Sequence, residues 1–229
     1  MTASDPKSRS IRSFVLRTGR ITPAQKQALE TLWPAWGIDF RPAELALPAG
    51  FEALNLEIGI GNGDALLEMA SRDPRSLYIG LEVHLPGIGR CLNGIESQDL
   101  DNVRLIRHDA IEVLEQMIAP SSVDRVLLFF PDPWPKKRHH KRRIVNLRLR
   151  DLLYRVLKPG GEFHAATDWE EYAEWIAAEF LDDSRFVNRG DADGYCETPV
   201  YRPRTRFERR GLALGHPVRD LVFAKKPVS

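Results

Sequence analysis

The chain has 229 residues, 43% of them hydrophobic, enough for one sizeable core, with 33 Lys and Arg against 32 Asp and Glu and a net charge of +1. That balance excludes a general polycation, and no apolar run approaches the ~20 residues a membrane span requires. Cys91 and Cys196 are isolated and the six His show no ligand spacing, which points to a reducing, cytoplasmic setting without disulfides, membrane or metal; the N-terminus lacks the apolar core of a secretory signal.

Residues 1–20 are polar and basic and read as an arm. Thr22-Pro23 supplies a cap residue and a proline at the first helical position, predicting a helix to about Trp33-Pro34. From Phe51 onward, apolar and amphipathic runs alternate, the signature of an α/β protein. The predicted strands cover 53–58, 77–82, 103–107, 125–130, 162–167 and 220–225, and the predicted helices cover 64–72, 86–96, 111–118, 145–157 and 170–181. The expected fold is Rossmann-like: a mainly parallel seven-stranded sheet with an antiparallel C-terminal strand and helices on both faces. A basic arm and helix (1–50) would precede one catalytic domain (51–229).

In such sheets ligands bind beyond the carboxyl ends of the strands. The first predicted strand ends in Glu57, Gly59, Gly61 and Gly63, an E-x-G-x-G-x-G turn whose glycines permit positive φ and close approach of a ligand. The spacing differs from the dinucleotide G-x-G-x-x-G, and a carboxylate before the glycines repels phosphate and favours a cation. S-adenosylmethionine, carrying ammonium and sulfonium charges, fits where NAD fits poorly. Glu82 ends the second strand, where the ribose of an adenosine ligand would lie; its alternative is a solvated cap. Asp109 ends the third, placed either for an adenine amino group or as the N-cap of the next helix.

The fourth strand leads into Pro131-Asp132-Pro133-Trp134-Pro135, a stiff turn similar to the D/N-P-P-Y/F/W turn of methyltransferases that act on nitrogen, with Trp134 a candidate stacking surface. Residues 136–143 follow with six Lys or Arg and two His; apart from them the chain is net acidic. Basicity so localised suits a defined polyanion-binding face. Further basic clusters lie in the first twenty residues and at Arg202, Arg204, Arg206, Arg209 and Arg210.

Over nearly its whole length the chain resembles the bacterial tRNA (guanine-N7)-methyltransferases of the variable-loop type. The motifs carrying the resemblance are Arg12-Ser13-Phe14-Val15-Leu16-Arg17 with Gly19-Arg20, the Glu57 turn, Gly80-Leu81-Glu82, the string from Pro131 to Arg143, Thr167-Asp168, and Thr205-Arg206-Phe207-Glu208-Arg209. The resemblance implies a class I methyltransferase fold, S-adenosylmethionine as cofactor and tRNA as partner. It also implies that Glu57, Glu82, Asp109 and Asp132 line the cofactor site, with Asp132 catalytic. Lys136, Asp168, Thr205, Arg206, Phe207 and Glu208 would face the substrate, and Arg138, His139, His140, Lys141, Arg142 and Arg143 the RNA. Asp168 reads equally as a helix cap, Thr205 to Glu208 as an ordinary C-terminal turn, and Lys136 has an alternative as one more phosphate contact. One departure, Gly215-His216-Pro217-Val218-Arg219-Asp220-Leu221, lacks the aromatic usual near the end of that segment and points to altered local packing. The chain is expected to act as a monomer or weak homodimer; alternatives are a methyltransferase acting on an exocyclic amino group, a non-catalytic RNA-binding protein, or an NAD-dependent oxidoreductase.

Overall fold

Thr22 closes a capping box with Gln25, each side chain bonding the other's backbone N–H, and launches α1 (Pro23–Thr31). The computed structural model describes residues 12–15, 19–204, 208 and 217–227. A short α2 (Trp33–Trp36) follows, with its proline at the start. Next come β1 (Gly37–Ile38), β2 (Ala53–Ile58), α3 (Asp64–Arg72), β3 (Ser76–Leu81), α4 (Leu85–Ser97), β4 (Val103–Ile106) and α5 (Ala110–Gln116). The second half holds β5 (Val123–Phe129), a 3₁₀ helix (Lys137–Arg142), α6 (Leu147–Val156), β6 (Leu157–Thr167), α7 (Glu170–Leu181), β7 (Phe186–Asn188) and β8 (Arg219–Lys225).

The sheet has eight strands in the order β1-β4-β3-β2-β5-β6-β8-β7. This corrects the expected seven. The pairings from β1 to β6 are parallel, while β8 runs antiparallel to both β6 and β7. Two of the eight, β1 and β7, are edge strands of two and three residues, too short to show a period in the sequence.

Each face of the sheet is covered, so the central strands are buried on both sides. Leu54, Leu56 and Ile58 of β2 point into one core layer with Val113 of α5, Leu149 and Leu153 of α6, and Ile176 of α7. The opposite layer joins Leu66 of α3, Ile88 and Leu92 of α4, and Ala28 of α1. Alternation on β2 therefore puts Asn55 and Glu57 on the second face, where both are nearly fully buried. A carboxylate in that layer costs stability unless something at the site uses it.

Order reversal occurs at β2: the chain runs outward through β3 and β4, then returns to add β5 on the other side. The crevice at this switch is where an open α/β sheet accepts a ligand.

Candidate active site

Beyond the carboxyl ends of β2, β3, β4 and β5 lies a cavity of about 300 Å³. Its wall combines Gly59, Glu82, His84, His108, Ala110 and the stretch from Phe130 to Asp132, with Ser13 and Phe14 of the N-terminal segment. Two of the four predicted cofactor acids, Glu82 and Asp132, line it directly. Glu57 and Asp109 do not.

The glycine turn is built as its spacing predicts. Gly59, Gly61 and Gly63 have φ of 73°, 55° and 82°, a region L side chains seldom occupy. A Cβ at Gly59 or Gly61 would meet nothing within 4 Å, so open space fronts the turn, whereas one at Gly63 would strike Cys91 Sγ at 2.4 Å. Glu82 organises this turn: its Oε2 accepts from Gly61 N at 2.9 Å, and its Oε1 accepts from Val83 N at 2.7 Å and His84 N at 3.0 Å. A carboxylate held by three backbone donors is fixed in place.

Glu57 sits beneath the turn, 3% exposed, with an Oε2 that finds no hydrogen-bond partner. Burial, reinforced by the charge of Glu82, pushes its carboxyl up to about 8. An orphaned buried carboxylate under a glycine turn fronted by open space fits a cationic ligand and opposes a phosphate.

Asp109 caps α5, its Oδ1 accepting from Ile111 N at 2.9 Å, which is the capping alternative of the sequence reading; its other oxygen takes no part in the cap. It faces a neighbouring polar cavity of about 240 Å³ that also touches Lys141 and Arg142. His108, which the sequence reading passed over, lines the main cavity, stacked on Phe40 at 3.6 Å and bonded to Glu112 at 2.5 Å. Its place at a strand end beside Asp109 was the available signal.

The proline turn carries strain at both ends. Phe130 and Trp134 have φ of 51° and 45°, conformations that persist only where surroundings hold them. Asp132 is exposed between them and makes no hydrogen bond among the described residues. Trp134 is not a free stacking surface: its indole Nε1 donates to Ser13 O at 3.1 Å, His139 meets its ring edge-on, and Arg142 lies 5.1 Å from its centre.

The basic run forms the 3₁₀ helix, which starts after Lys136, with Lys136, Arg138 and Lys141 exposed and His139, His140 and Arg142 half-buried. Desolvation and the charges of Arg138, Arg142, Lys136 and Lys141 lower the pKa of His139, favouring its neutral form. Arg143 departs from the expectation of an RNA contact. It is 1% exposed, its guanidinium turned inward to protein partners, so it presents no charge to solvent.

Asp168, just past β6, is exposed and unbonded among the described residues; α7 is instead capped at Trp169, whose N–H is taken by Thr167 Oγ1 at 3.1 Å. The capping alternative for Asp168 is therefore not realised. Because Phe129 pairs with Ala166 and Phe130 N donates to Ala166 O at 2.8 Å, the Asp132 and Asp168 loops leave the sheet side by side. Thr205, Arg206 and Phe207 lie outside the described residues. Glu208 is 3% exposed and grips Arg202 through two bonds of 2.7 and 2.8 Å, which gives it a structural partner in place of an open substrate-facing position. Arg202 in turn meets Asp220 at 2.6 Å, and Asp220 bonds His164 at 2.7 Å, the imidazole being completed by Tyr201 OH at 2.9 Å. Burial lowers the pKa of His164, favouring the neutral ring, in which one nitrogen serves as donor and the other as acceptor. Asp220 lies in the segment 215–221, and this network is the local packing that surrounds its side chain.

Among the described residues no cluster of His, Cys, Asp and Glu could hold a metal, and no helix is long and apolar enough to cross a membrane.

This sheet, with a glycine turn over a buried acid and a second acid clamping that turn, defines the class of S-adenosylmethionine-dependent methyltransferases. Solved structures with the same fold include an rRNA methylase from Streptococcus thermophilus (13% identity, TM-score 0.51, covering 91% of this chain and 100% of that one). A 16S rRNA (adenine(1408)-N(1))-methyltransferase from Catenulisporales acidiphilia, solved with cosubstrate SAM, is similar at 15% identity and TM-score 0.51, covering 78% and 88%.

Residues 52–221 match the family described as "Putative methyltransferase". Proteins named tRNA (guanine-N(7)-)-methyltransferase are 50% identical in Xanthomonas axonopodis pv. citri, over 94% of this chain and 84% of the relative, and 48% identical in Chromobacterium violaceum, over 95% and 97%. The chain belongs to this methyltransferase family.

Proposed function

We propose that the protein transfers the methyl group of S-adenosylmethionine to N7 of a guanine in the variable loop of tRNA, forming 7-methylguanosine. One observation carries the reading: the acid-lined cavity opens beside Asp132, and an exposed cationic helix starts five residues further on. Cofactor and polyanion thus meet at one turn. Relatives bearing this activity by name, about half identical over most of the chain, support the same substrate.

The bound cofactor supplies an electrophilic methyl group on a positively charged sulfur. Guanine N7 presents an unprotonated lone pair, so the protein need not remove a proton there. Transfer to N7 would leave the S–CH₃ electron pair on sulfur and place the positive charge on the purine ring. The residues therefore position and neutralise. Glu57 and Glu82 hold the cationic donor, Asp109 keeps an oxygen outside its cap for the adenine end, and Asp132 faces the charge that develops on the base. Lys136, Asp168 and residues 205–207 would face the substrate, while Glu208 holds Arg202. Arg138, His139, His140, Lys141 and Arg142 receive the RNA. Residues 51–229 form the catalytic domain and 1–50 its basic extension, acting in the cytoplasm, where tRNA is found.

Incubation with methyl-labelled S-adenosylmethionine and bulk tRNA, followed by nucleoside analysis, tests the reading. Labelled 7-methylguanosine is the expected product. Label on an exocyclic amino group, or none, contradicts it.

A further inference from the structure

We infer that Arg143 is a positioning residue for methyl transfer, fixing the Asp132 turn against α7 while the exposed Lys136, Lys137, Arg138 and Lys141 before it remain free for RNA; this rests on the reaction proposed above. Asp132 has no partner among the described residues, so the backbone of its turn sets the position from which the carboxylate reaches out. That backbone is strained at Phe130 and Trp134. Pro131, Pro133 and Pro135 have no N–H to anchor it.

Arg143 bonds the middle of this turn, its Nε donating to Pro133 O at 2.9 Å. Its Nη2 donates to Glu171 Oε1 at 2.9 Å, and its guanidinium carbon lies 5.2 Å from the ring centre of Tyr172 and 4.8 Å from that of Trp175. Glu171, Tyr172 and Trp175 all belong to α7, the helix entered directly from Asp168. Trp175 is itself tied down, its Nε1 donating to Val145 O at 2.8 Å. One guanidinium therefore joins the Asp132 turn, the end of the basic helix and the start of α7. The bond from Arg143 also holds the Glu171 carboxyl below its ordinary range.

A buried cation is retained only where its partners satisfy it, and this geometry needs a planar fork. Lysine would keep the charge but lacks the planar fork that bonds Pro133 and Glu171 while lying against two rings.

The test uses the full chain, bulk tRNA and S-adenosylmethionine, with kcat, KM for tRNA, Tm and the salt dependence of tRNA binding measured for Arg143→Lys, Glu171→Gln and Arg138→Ala. Arg143→Lys is expected to lower kcat about tenfold or more with KM for tRNA and the salt slope nearly unchanged, since small misplacements of reacting groups cost rate more than binding. Glu171→Gln, whose amide oxygen still accepts, should give a smaller fall in kcat. Arg138→Ala should do the reverse, raising KM and flattening the slope. A kcat for Arg143→Lys within about twofold of wild type, a change too small for removal of an orienting bond, overturns the inference. So does a loss confined to KM and salt slope. If Arg143→Lys does not fold, Glu171→Gln decides: reduced kcat at native Tm supports the role, and unchanged kcat overturns it. Absence of 7-methylguanosine with the wild-type protein would count against the reaction itself, and is read separately.

Discussion

Two basic stretches of this chain look alike as sequence, yet the structure treats individual cations within each of them oppositely. In residues 136–143 the leading cations stand in solvent, whereas in the cluster that begins at residue 202 the first arginine is closed off, its side chain 0% exposed between Asp220 and Glu208. Within the first stretch the same split recurs between Arg138, exposed, and Arg143, buried against Glu171. Each cation's fate follows the acids that the fold brings to it. Two of those acids are distant in sequence: Asp220 arrives on β8 and Glu171 on α7. Density of charge alone marks neither kind.

The sharpest way to break the comparison is at Arg202. Arg202→Ala leaves Asp220 and Glu208 buried without their cation, and the expected loss of stability in urea unfolding is about 3–5 kcal/mol. A loss comparable to that of a surface residue would show that the network is ornamental. Replacing Lys137, Arg138 and Lys141 together by Ala should have the opposite profile. Stability should stay within about 0.5 kcal/mol per site, as for exposed positions, while the log–log salt slope of tRNA binding falls by roughly 0.7 to 0.9 for each phosphate that is no longer neutralised. An unchanged slope would move the RNA face elsewhere.

A subtler contrast sets Glu57 against Glu82, two buried acids one strand apart. Glu82 is satisfied by three backbone N–H groups; Glu57 has an unpartnered oxygen. With the Glu57 carboxyl raised to about 8 in the folded chain from an ordinary 4.5, the folded state holds the extra proton between those values. Its contribution to stability is complete below the lower value and is lost as pH rises through the upper one. Tm of the free protein should therefore decline from pH 5 to pH 9, and Glu57→Gln should remove that component while weakening cofactor binding. A Glu57→Gln curve parallel to wild type would contradict the assignment.

Much of the central sheet was legible because its elements are long and strongly patterned. The predicted ranges 53–58, 64–72 and 170–181 coincide with β2, α3 and α7. The glycine turn was equally legible, since positive φ at consecutive alternate positions leaves few residue choices. Edge strands β1 and β7 were not, because they form by pairing with β4 and β8 and carry no period of their own. The inward turn of Arg143 could not be read from neighbours that are also basic, and Trp134 looked available until Ser13 closed on its indole. In each case the deciding partner lies far away in the chain.

The most direct measurement is single-turnover methyl transfer by Asp132→Ala, with cofactor and tRNA binding measured on the same preparation. If Asp132 serves the charge that develops on guanine, transfer should fall about a hundredfold or more, the scale of losing one aligned electrostatic group, while tRNA affinity stays near wild type. Methyl transfer at near wild-type rate, or a loss explained wholly by weaker tRNA binding, would contradict it.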